Sequence, residues 1–365
     1  MTRRILISGL VMCSSLLAWT QTRPTTLPAH AGECAANPSI RVPECPDSLL
    51  VLFWNVENLF DCEGENGGKE WTPAGEKHWT PGRLRAKCNA IAKTLLWVGE
   101  KWGRLPDIVG LAEVENAGVL RRLVYSAPLR KAGYRYIHFD SPDPRGIDVA
   151  LLYRKDVLAR PKAEALPVPG FRTRDILRCR FPLSGDSLTV VVVHHPSKLG
   201  GPARSQPRRQ AAMSVLREAC GDTRAGSSGT DSLPTAASCS LTVVTGDFND
   251  TPDGEAFQML DSCLVCLSRP LYRQGEGTLK YDGKWELIDQ FWVSPDLAEK
   301  ETGAHAGRWR CETAVLYAPF LLTRDSAHAG EKPLRTYSGP RYLGGVSDHL
   351  PIVLRLSRKD YSSRE

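Results

Sequence analysis

Short apolar runs rich in Val, Ile and Leu alternate along the chain with segments whose apolar residues recur every three or four positions. The first pattern is typical of buried strands and the second of helices. Strands are predicted at Ser48–Trp54, Asp107–Leu111, Tyr134–Phe139, Ile147–Tyr153, Leu188–Val193, Thr242–Gly246, Glu286–Ser294 and Pro351–Leu356. Helices are predicted at Arg83–Gly99, Gly118–Tyr125, Arg208–Ala219 and close to Gly254–Leu260. Alternation of this kind predicts an α/β fold.

Three segments rich in Gly, Ser, Pro or charged residues interrupt this pattern. Asp61–Gly82 and Gly200–Pro207 are expected to be surface loops, and Gly221–Ser240 is expected to be a mobile insertion. No Gly/Pro-rich linker divides the chain into two halves. Residues 48–358 are therefore predicted to fold as one domain.

The N-terminal residues are typical of an exported protein. Arg3 and Arg4 precede the mostly apolar stretch Ile5–Ala18, and small and polar residues follow it. This pattern predicts a secretory signal peptide at residues 1–20. A transmembrane anchor is one alternative, but the stretch is shorter than the ~20 apolar residues that span a bilayer. A lipoprotein modified at Cys13 is another, but Met12 before it is bulky where a small residue is expected. The protein is therefore expected in the periplasm or outside the cell, with residues 21–47 loosely ordered because they are rich in Pro, Thr and Ala.

Composition narrows the function without fixing it. The 365 residues are 42% hydrophobic, which is enough for one large core or two modest ones. A net charge of +6 suits an anionic substrate such as a phosphate ester, although no block of Lys and Arg marks a nucleic-acid-binding arm. No later segment is long and apolar enough to cross a membrane, so no stable membrane insertion is expected. The protein is expected to be a monomer.

Eleven cysteines are spread along the chain, and ten remain once Cys13 is removed with the signal peptide. An even number in an oxidising compartment makes some disulfides plausible. The close pairs are Cys34 with Cys45 and Cys263 with Cys266. The second pair has the spacing of a zinc site, but no further pair completes such a site.

The stretch Thr242–Asp250 carries the first indication of chemistry. Its β-branched run ends at Gly246, and Asp247 and Asn249 follow. In an extended chain these two side chains point the same way, and an acid beside an amide suits a hard cation or a water polarised next to one. An Asx turn at the strand end explains the same residues without any ligand.

Polar side chains recur at the ends of the other predicted strands. They are Asn55 with Glu57, Glu113, Asp148, His194, Asp247 with Asn249, Asp289, and Asp348 with His349. A single buried acid is usually a satisfied structural group, but so many at strand ends are difficult to explain independently. Oxygen ligands without thiolates favour Mg²⁺, Mn²⁺ or Ca²⁺ over zinc. A histidine beside an acid could activate water, so the set suits metal-assisted hydrolysis of a phosphate ester.

Six motifs resemble those of the endonuclease/exonuclease/phosphatase superfamily and occur in that family's order. They are WNVENLF (Trp54–Phe60), LAEVEN (Leu111–Asn116), VHHPSK (Val193–Lys198), TGDFND (Thr245–Asp250), ELIDQFWVS (Glu286–Ser294) and VSDHLP (Val346–Pro351). Each motif alone is a modest signal, and the six together are a strong one. The segments Gly146–Arg154, Gly275–Trp285 and Gly339–His349 resemble an exported bacterial subgroup described broadly as endonucleases.

The resemblance implies a four-layer α/β/β/α sandwich, in which two mixed sheets pack face to face with helices outside and one site at the top. It implies Mg²⁺ as the cofactor, with Mn²⁺ or Ca²⁺ as alternatives. His349 resembles the general base, Asp289 the acid that orients it, and His194 the histidine that stabilises or protonates the leaving oxygen. The residues that resemble the metal contacts are Glu113, Asn55 and Asp348, and those that resemble the pair positioning nucleophile and phosphate are Asp247 and Asn249.

Two features depart from the family's pattern. Ala112 stands where the family often has Gln before the metal glutamate. The histidine motif is doubled, so His194 and His195 compete for one role. Neighbouring residues of a strand face opposite ways, and the distance to Pro196 favours His194.

Side chains outside these roles each have two interpretations. Asp148 either supports the site or forms a salt bridge with Arg145 or Arg154. The candidates for holding a substrate phosphate, which could equally form a solvated helix face, are Arg204, Arg208 and Arg209. The aromatic candidates for stacking on the substrate, which could equally pack their own loops, are Trp71, Trp79 and Tyr281. Glu57 and Glu115 are expected beside the site or at the surface rather than as ligands.

The leading interpretation is an exported, Mg²⁺-dependent phosphodiesterase that acts as a nuclease. The first alternative keeps the site and changes the substrate to a phosphomonoester or a phospholipid head group, as in sphingomyelinases. The shared motifs do not separate these two. A catalytically silent binding module is the second alternative, and it would predict loss of Glu113, Asp247 or His349, all of which are present.

Overall fold

The computed structural model describes residues 46–64, 68–183, 186–198, 201–221, 241–298 and 309–358 of the chain. The predicted signal peptide lies outside these residues. So do the predicted N-terminal segment, apart from its last two residues, and the predicted insertion, apart from Gly221. These three expectations stay predictions.

The apolar runs of the sequence form strands, and the segments with helical spacing form helices. In chain order the strands are β1 (Ser48–Leu59), β2 (Ile108–Val114), β3 (Tyr134–His138), β4 (Asp148–Arg154), β5 (Lys162–Leu166), β6 (Ile176–Leu183), β7 (Asp186–His194), β8 (Leu241–Asp247), β9 (Val265–Cys266), β10 (Leu279–Tyr281), β11 (Lys284–Glu286), β12 (Asp289–Val293), β13 (Trp309–Val315), β14 (Leu322–Arg324), β15 (Glu331–Pro333), β16 (Tyr337–Ser338), β17 (Arg341–Tyr342) and β18 (Ile352–Arg358). The helices are α1 (Pro81–Trp102), α2 (Ala117–Val124), α3 (Pro202–Gly221), α4 (Gln258–Asp261) and α5 (Arg269–Arg273), with 3₁₀ turns at Glu255–Phe257 and Pro319–Leu321.

Two mixed sheets of six strands form the centre of the molecule. Their strand orders are β13-β18-β1-β2-β4-β3 and β5-β6-β7-β8-β12-β9, and three two-stranded hairpins lie outside them. Each large sheet contains one parallel pair, β1 with β2 in the first and β7 with β8 in the second. A parallel pair needs a crossover connection, which α1 and α3 supply. The carboxyl ends of these two pairs carry five of the eight residues predicted for catalysis or metal binding, namely Asn55, Glu113, His194, Asp247 and Asn249.

The two sheets pack face to face, with helices on the outer faces. Gly110 of β2 faces Phe53 of β1 and Val192 of β7 in the second sheet. A Cβ atom at residue 110 would lie only 3.0 Å from Phe53 and 3.3 Å from Val192, so the glycine makes room for both side chains. Helices α1 and α2 contact the first sheet, and α3 contacts the second, where Met213 and Leu216 join the apolar cluster on its outer face. This arrangement confirms the predicted four-layer sandwich.

Gly246 of β8 leaves no space for a side chain beside β7. A Cβ at this position would meet the carbonyl oxygen of Val193 at 2.1 Å, which no side chain can tolerate. A glycine inside a strand is typical of such close backbone approach. The next residues along the two strands, His194 and Asp247, are partners in the register of the sheet.

Several predicted boundaries differ from the structure, such as the end of β1 at Leu59 rather than Trp54, and two segments are wrong as predicted. Helix α3 begins at Pro202, so the predicted loop Gly200–Pro207 is helical from that residue, and Pro207 lies within the helix without ending it. The predicted strand Glu286–Ser294 is two elements, because Glu286 ends β11 and a new strand begins at Asp289. Asp289 therefore lies at a strand end, opposite Asp247 in the register.

The aromatic residues of the Asp61–Gly82 loop pack the loop itself. Trp71 stacks on Phe60 with ring centroids 5.1 Å apart and contacts Trp79 and Tyr337 edge-on at 5.7 and 5.4 Å. Both tryptophans are buried. Tyr281 is 69% exposed beside the turn of the β10–β11 hairpin. The packing interpretation thus holds for the two tryptophans.

Cys263 and Cys266 are free thiols. The plausible disulfide between these two is therefore not formed. Cys34 and Cys45 lie outside the described residues. Within the described part of the chain, no helix combines the length and apolar character needed to cross a bilayer.

Candidate active site

Polar side chains from both sheets line a cavity of about 190 Å³ at the carboxyl ends of β1, β2, β7 and β8. Seven of the eight residues predicted for catalysis or metal binding line it, namely Asn55, Glu113, His194, Asp247, Asn249, Asp348 and His349. The eighth, Asp289, is fully buried and bonded to His349. Residues that lie far apart in the sequence therefore meet in one site, because the ends of parallel strands share one edge of a sheet.

His349 is held on three sides. Its Nδ1 lies 2.7 Å from Asp289 Oδ2, its backbone N–H donates to Ser347 Oγ at 3.0 Å, and its carbonyl oxygen accepts from Trp54 Nε1 at 2.9 Å. The other ring nitrogen, Nε2, lies 3.9 Å from Asp247 Oδ2. Burial alone lowers the pKa of His349, but the carboxylates of Asp289 and Asp247 outweigh it and raise the pKa well above its usual value.

Asp247 lies at the centre of the site. Its Oδ2 accepts from Asn55 Nδ2 at 3.1 Å and lies 3.5 Å from His194 Nε2. Its Oδ1 accepts from the backbone N–H of Asn249 at 2.8 Å, which is the bond of an Asx turn. Asp247 and Asn249 therefore form an Asx turn and also lie in the site, so the two interpretations of these residues are compatible. Burial, the largest effect, raises the pKa of the Asp247 carboxyl.

Glu113 occupies an irregular position in β2, where the register with β4 shifts. Its φ is 63°, and at the end of β1 Glu57 and Asn58 have φ values of 50° and 53°. Positive φ is uncommon in residues other than glycine and concentrates at functional sites. The conformation lets the Asn58 N–H donate to Glu113 Oε2 at 2.9 Å, while Arg145 Nη2 donates to Glu113 Oε1 at 3.2 Å.

Arg335 joins Asp348 to Glu57. Its Nη2 lies 3.0 Å from Asp348 Oδ2 and 3.0 Å from Glu57 Oε1, and its Nε donates to the same Glu57 oxygen at 3.1 Å. The backbone N–H of Thr336 donates to Glu57 Oε2 at 2.7 Å. Glu57 is therefore a buried partner of site residues, which agrees with its expected position beside the site. Burial and then the charge of Asp348 raise the pKa of Glu57.

The two adjacent histidines have different surroundings. His194 lines the cavity, whereas the ring of His195 packs against Phe248 with centroids 5.2 Å apart. Burial, reinforced by Arg174 and Arg145, lowers the pKa of His194 well below its usual value, so its imidazole is neutral at pH 7. His195 is also neutral, because burial lowers its pKa to about 3. The strand alternation that favours His194 is the one observed.

The donor set of the cavity fits a hard divalent cation. Carboxylate and amide oxygens line it, and Asp289 Oδ1 is buried with no hydrogen-bond partner among the described residues. One ligand atom from each of Asp247, Asp289 and His349 lies within 4.8 Å of the others. The predicted ligands Asn55, Glu113 and Asp348 line the same cavity, so a second set of oxygen ligands, with no residue in common with the first, is available.

The arginines predicted to hold phosphate do not line this cavity. Arg209 pairs with Asp250, a member of the TGDFND motif, beside a separate groove along α3. Arg204 is exposed on the same helix, and Arg208 is half-buried there. The cations at the cavity are instead Arg145, Arg174 and Arg335.

Sequence reasoning missed these three arginines, although two had a local signal. Arg145 immediately precedes the family-like segment Gly146–Arg154, and Arg335 lies four residues before the segment Gly339–His349. Arg174 has no such signal. It is held by Asp143 at 3.0 Å and by the carbonyl oxygen of His195 at 2.7 Å.

Asp148 forms neither of the predicted salt bridges. Arg145 pairs with Glu113, and Arg154 lies 3.9 Å from Asp107. Asp148 Oδ2 instead lies 3.2 Å from His138 Nε2, and its Oδ1 accepts from the backbone N–H of Ser141 at 3.0 Å. The salt-bridge prediction is therefore wrong, because a histidine on the neighbouring strand β3 is closer.

Two packed mixed sheets with acids and histidines at their strand ends define a class of metal-dependent hydrolases of phosphate esters. The family model described as Endonuclease/Exonuclease/phosphatase family matches residues 50–358, and the chain belongs to this family. The predicted superfamily is thereby confirmed, whereas the exported bacterial subgroup stays a prediction.

Solved structures share this fold at low sequence identity. A humanized D. rerio TDP2 with 14 mutations superposes with a TM-score of 0.54 at 14% identity, over 86% of this chain and 100% of that chain. A protein of the endonuclease/exonuclease/phosphatase family from Bacteroides thetaiotaomicron gives a TM-score of 0.50 at 17% identity, over 87% and 100%. Identities this low show the fold alone. No curated protein matches the chain significantly.

Proposed function

We propose that the protein is an exported, Mg²⁺-dependent phosphodiesterase that cleaves nucleic acid. The observation that carries the proposal is the pair of histidines beside Asp247, whose Oδ2 lies 3.9 Å from His349 Nε2 and 3.5 Å from His194 Nε2. The pKa of His349 is raised and that of His194 is lowered. Two imidazoles in one cavity, one of them oriented by a carboxylate at Nδ1, suit a general base assisted by a hydrogen-bond donor.

In the proposed mechanism His349 takes a proton from the attacking water at Nε2, because Nδ1 is bonded to Asp289. The imidazolium that forms is stabilised by the Asp289 carboxylate. As the water oxygen bonds to phosphorus, the bond from phosphorus to the leaving oxygen breaks, and the leaving oxygen takes a proton from solvent. His194, neutral at pH 7, donates a hydrogen bond to the reacting phosphate or the leaving oxygen. When bound, a divalent cation supplies positive charge that polarises a phosphoryl oxygen and offsets the acids that raise the pKa of His349.

Charge and size support a phosphate diester within a longer molecule. Arg145 and Arg335 have side chains 51% and 46% exposed, so both can reach a ligand at the mouth of the cavity. Arginine forks match phosphate oxygens. The cavity volume of about 190 Å³ is below the roughly 300–1,000 Å³ of sites that enclose drug-sized ligands. A single phosphate group with its nearest atoms fits this volume, so in this proposal the rest of the polymer stays outside the cavity.

The proposal is tested by incubating the protein with supercoiled plasmid, single-stranded DNA and RNA, in Mg²⁺ and in EDTA. A parallel panel contains a phosphomonoester and a choline phospholipid. The matched control is His349→Ala, prepared in the same way. Nicking or shortening of nucleic acid that needs both Mg²⁺ and His349 is the expected result.

Two outcomes would contradict the proposal in different ways. Release of inorganic phosphate or choline phosphate without cleavage of nucleic acid would support the assigned active site and reject nucleic acid as the substrate. No metal-dependent hydrolysis of any compound by the native protein would overturn the assignment as an enzyme. Export is tested separately, by the N-terminal sequence of the protein recovered outside the cytoplasm, which should begin near Gln21.

The doubled histidine gives a paired prediction. His194→Ala is expected to lower kcat about 100-fold, because one hydrogen-bond donor to the reacting group is lost. His195→Ala is expected to lower the free energy of unfolding by about 2 kcal/mol, because it empties space beside Phe248, with little effect on kcat. Steady-state kinetics and thermal unfolding of both variants check this. A larger kcat loss in His195→Ala would reverse the assignment.

A further inference from the structure

Lys87 is a buried cation that the proposed mechanism does not use. It projects from α1, is 2% exposed, and lies in salt-bridge contact with no carboxylate of the described residues. Its Nζ donates to the carbonyl oxygen of Glu57 and to Thr336 Oγ1, the latter at 2.7 Å. Burial lowers its pKa to about 8. Burying an ammonium group without a bonded acid is energetically costly. The two groups that Lys87 does bind therefore indicate its role.

The carbonyl that Lys87 binds belongs to the strained turn at the end of β1. Glu57 and Asn58 are consecutive residues with positive φ, and the register of β1 with β2 shifts between Asn55 and Leu59. Consecutive positive φ values in residues other than glycine persist only when their surroundings hold them. Lys87 fixes the direction of the Glu57 carbonyl, and hence the orientation of the peptide group that joins Glu57 to Asn58.

The nitrogen of that same peptide group is the one that orients Glu113. The Asn58 N–H donates to Glu113 Oε2 at 2.9 Å. Rotation of the Glu57–Asn58 peptide would therefore move the Glu57 carbonyl off Lys87 and the Asn58 N–H off Glu113 together. One rigid peptide group connects the buried ammonium to the carboxylate.

Lys87 also reaches the other wall of the cavity. Thr336, its second acceptor, donates its backbone N–H to Glu57 Oε2 and its hydroxyl to the carbonyl oxygen of Val346 at 2.9 Å. Val346 begins the segment that carries Asp348 and His349. The ammonium thus joins the end of β1 to the loop before β18.

We propose that Lys87 is a positioning residue that holds the Glu57–Asn58 peptide in the orientation that presents Glu113 to a divalent cation. The inference rests on the proposed function for the role of Glu113. For a variant that lacks Lys87, this role predicts weaker cation binding, whereas a role as a nearby positive charge predicts tighter binding. Removing a nearby positive charge would tighten cation binding by electrostatics alone, whereas losing the orientation of Glu113 weakens it.

The test uses Lys87→Met, which keeps the length of the side chain and removes its charge and donors. Mn²⁺ and Mg²⁺ are titrated into the metal-free protein by calorimetry, and exchange of the Asn58 amide hydrogen is followed by mass spectrometry of the peptide that contains it. We expect cation affinity to fall about 10- to 100-fold and the Asn58 amide to exchange faster. The matched control is Lys93→Met on the exposed side of the same helix, which should change neither measurement.

Unchanged or tighter cation binding in Lys87→Met would overturn the inference, as would unchanged exchange at Asn58. Failure of the native protein to bind either cation would contradict the proposed function, and the exchange measurement would still decide whether Lys87 holds the turn. If Lys87→Met does not fold, Thr336→Val removes one acceptor of the ammonium. It should shift both measurements in the same direction by a smaller amount.

Discussion

Replacing His349 with alanine is expected to lower kcat about 1,000-fold while the protein stays folded. The ring is the group in the cavity placed to take a proton from water, with Nδ1 bound to Asp289 at 2.7 Å and Nε2 facing the cavity. Its backbone contacts, through Ser347 and Trp54, do not involve the ring and remain in the variant. Steady-state kinetics on the cleaved substrate, with thermal unfolding as the folding control, measure the effect.

The pH profile separates a base from a merely structural ring. A base acts when deprotonated, so kcat/KM should rise with pH through the pKa of His349. Asp289 raises that pKa, and Asp289→Asn removes the charge responsible. The rising limb should therefore move to lower pH in Asp289→Asn, together with a lower maximal rate because the ring is held less well. A limb that stays in place would show that His349 is not the group that titrates.

Replacing Glu113 with glutamine is expected to lower kcat/KM on the order of 1,000-fold, the equivalent of several kcal/mol of metal-derived stabilisation. The substitution keeps the size of the side chain and its bond from the Asn58 N–H, and it removes the charge. The matched control is Glu115→Gln. Glu115 is a buried acid two residues away that accepts from the Asp61 N–H at 2.6 Å and does not line the cavity.

Calorimetric titration with Mg²⁺ distinguishes the two variants directly. Glu113→Gln should bind the cation far more weakly than the native protein, whereas Glu115→Gln should bind it as the native protein does. EDTA should bring the native protein to the level of Glu113→Gln, and excess Mg²⁺ should restore the native protein. Equal losses in both variants would mean that Glu113 acts through the stability of the β2 end rather than as a ligand.

The centre of the site was predictable because each part of it is local in sequence. Asp247 and His349 stand at strand ends within short motifs, and the rule that parallel strands share an edge brings such ends together. The choice of His194 over His195 needed only its distance to Pro196 and the alternation of side chains along a strand. The superfamily and the sandwich followed from the order of the motifs along the chain.

The surroundings of the site were not predictable in the same way. Arg335 acts on Glu57 across 278 residues, and no local pattern indicates that contact. Arg209 was the better candidate by sequence, because it stands on a basic helix, but the nearby charge of Asp250 pairs with it instead. Strands β5, β6 and β13 were not predicted because their sequences lack a clear apolar strand pattern. Two of them are polar edge strands, and β6 contains Pro182, which weakens its pattern.

Gly246 has a consequence for how this protein could acquire new substrates. His194 and Asp247 are paired in the register of β7 and β8, and the Val193 carbonyl leaves no space for a side chain at Gly246, so main-chain pairing sets the separation of the two site residues. No side chain acts as a spacer between them. Insertions or exchanges in the rim loops can therefore reshape what enters the cavity without altering the spacing of the reacting groups. The protein is therefore suited to the exchange of its rim loops, provided that Gly246 is kept.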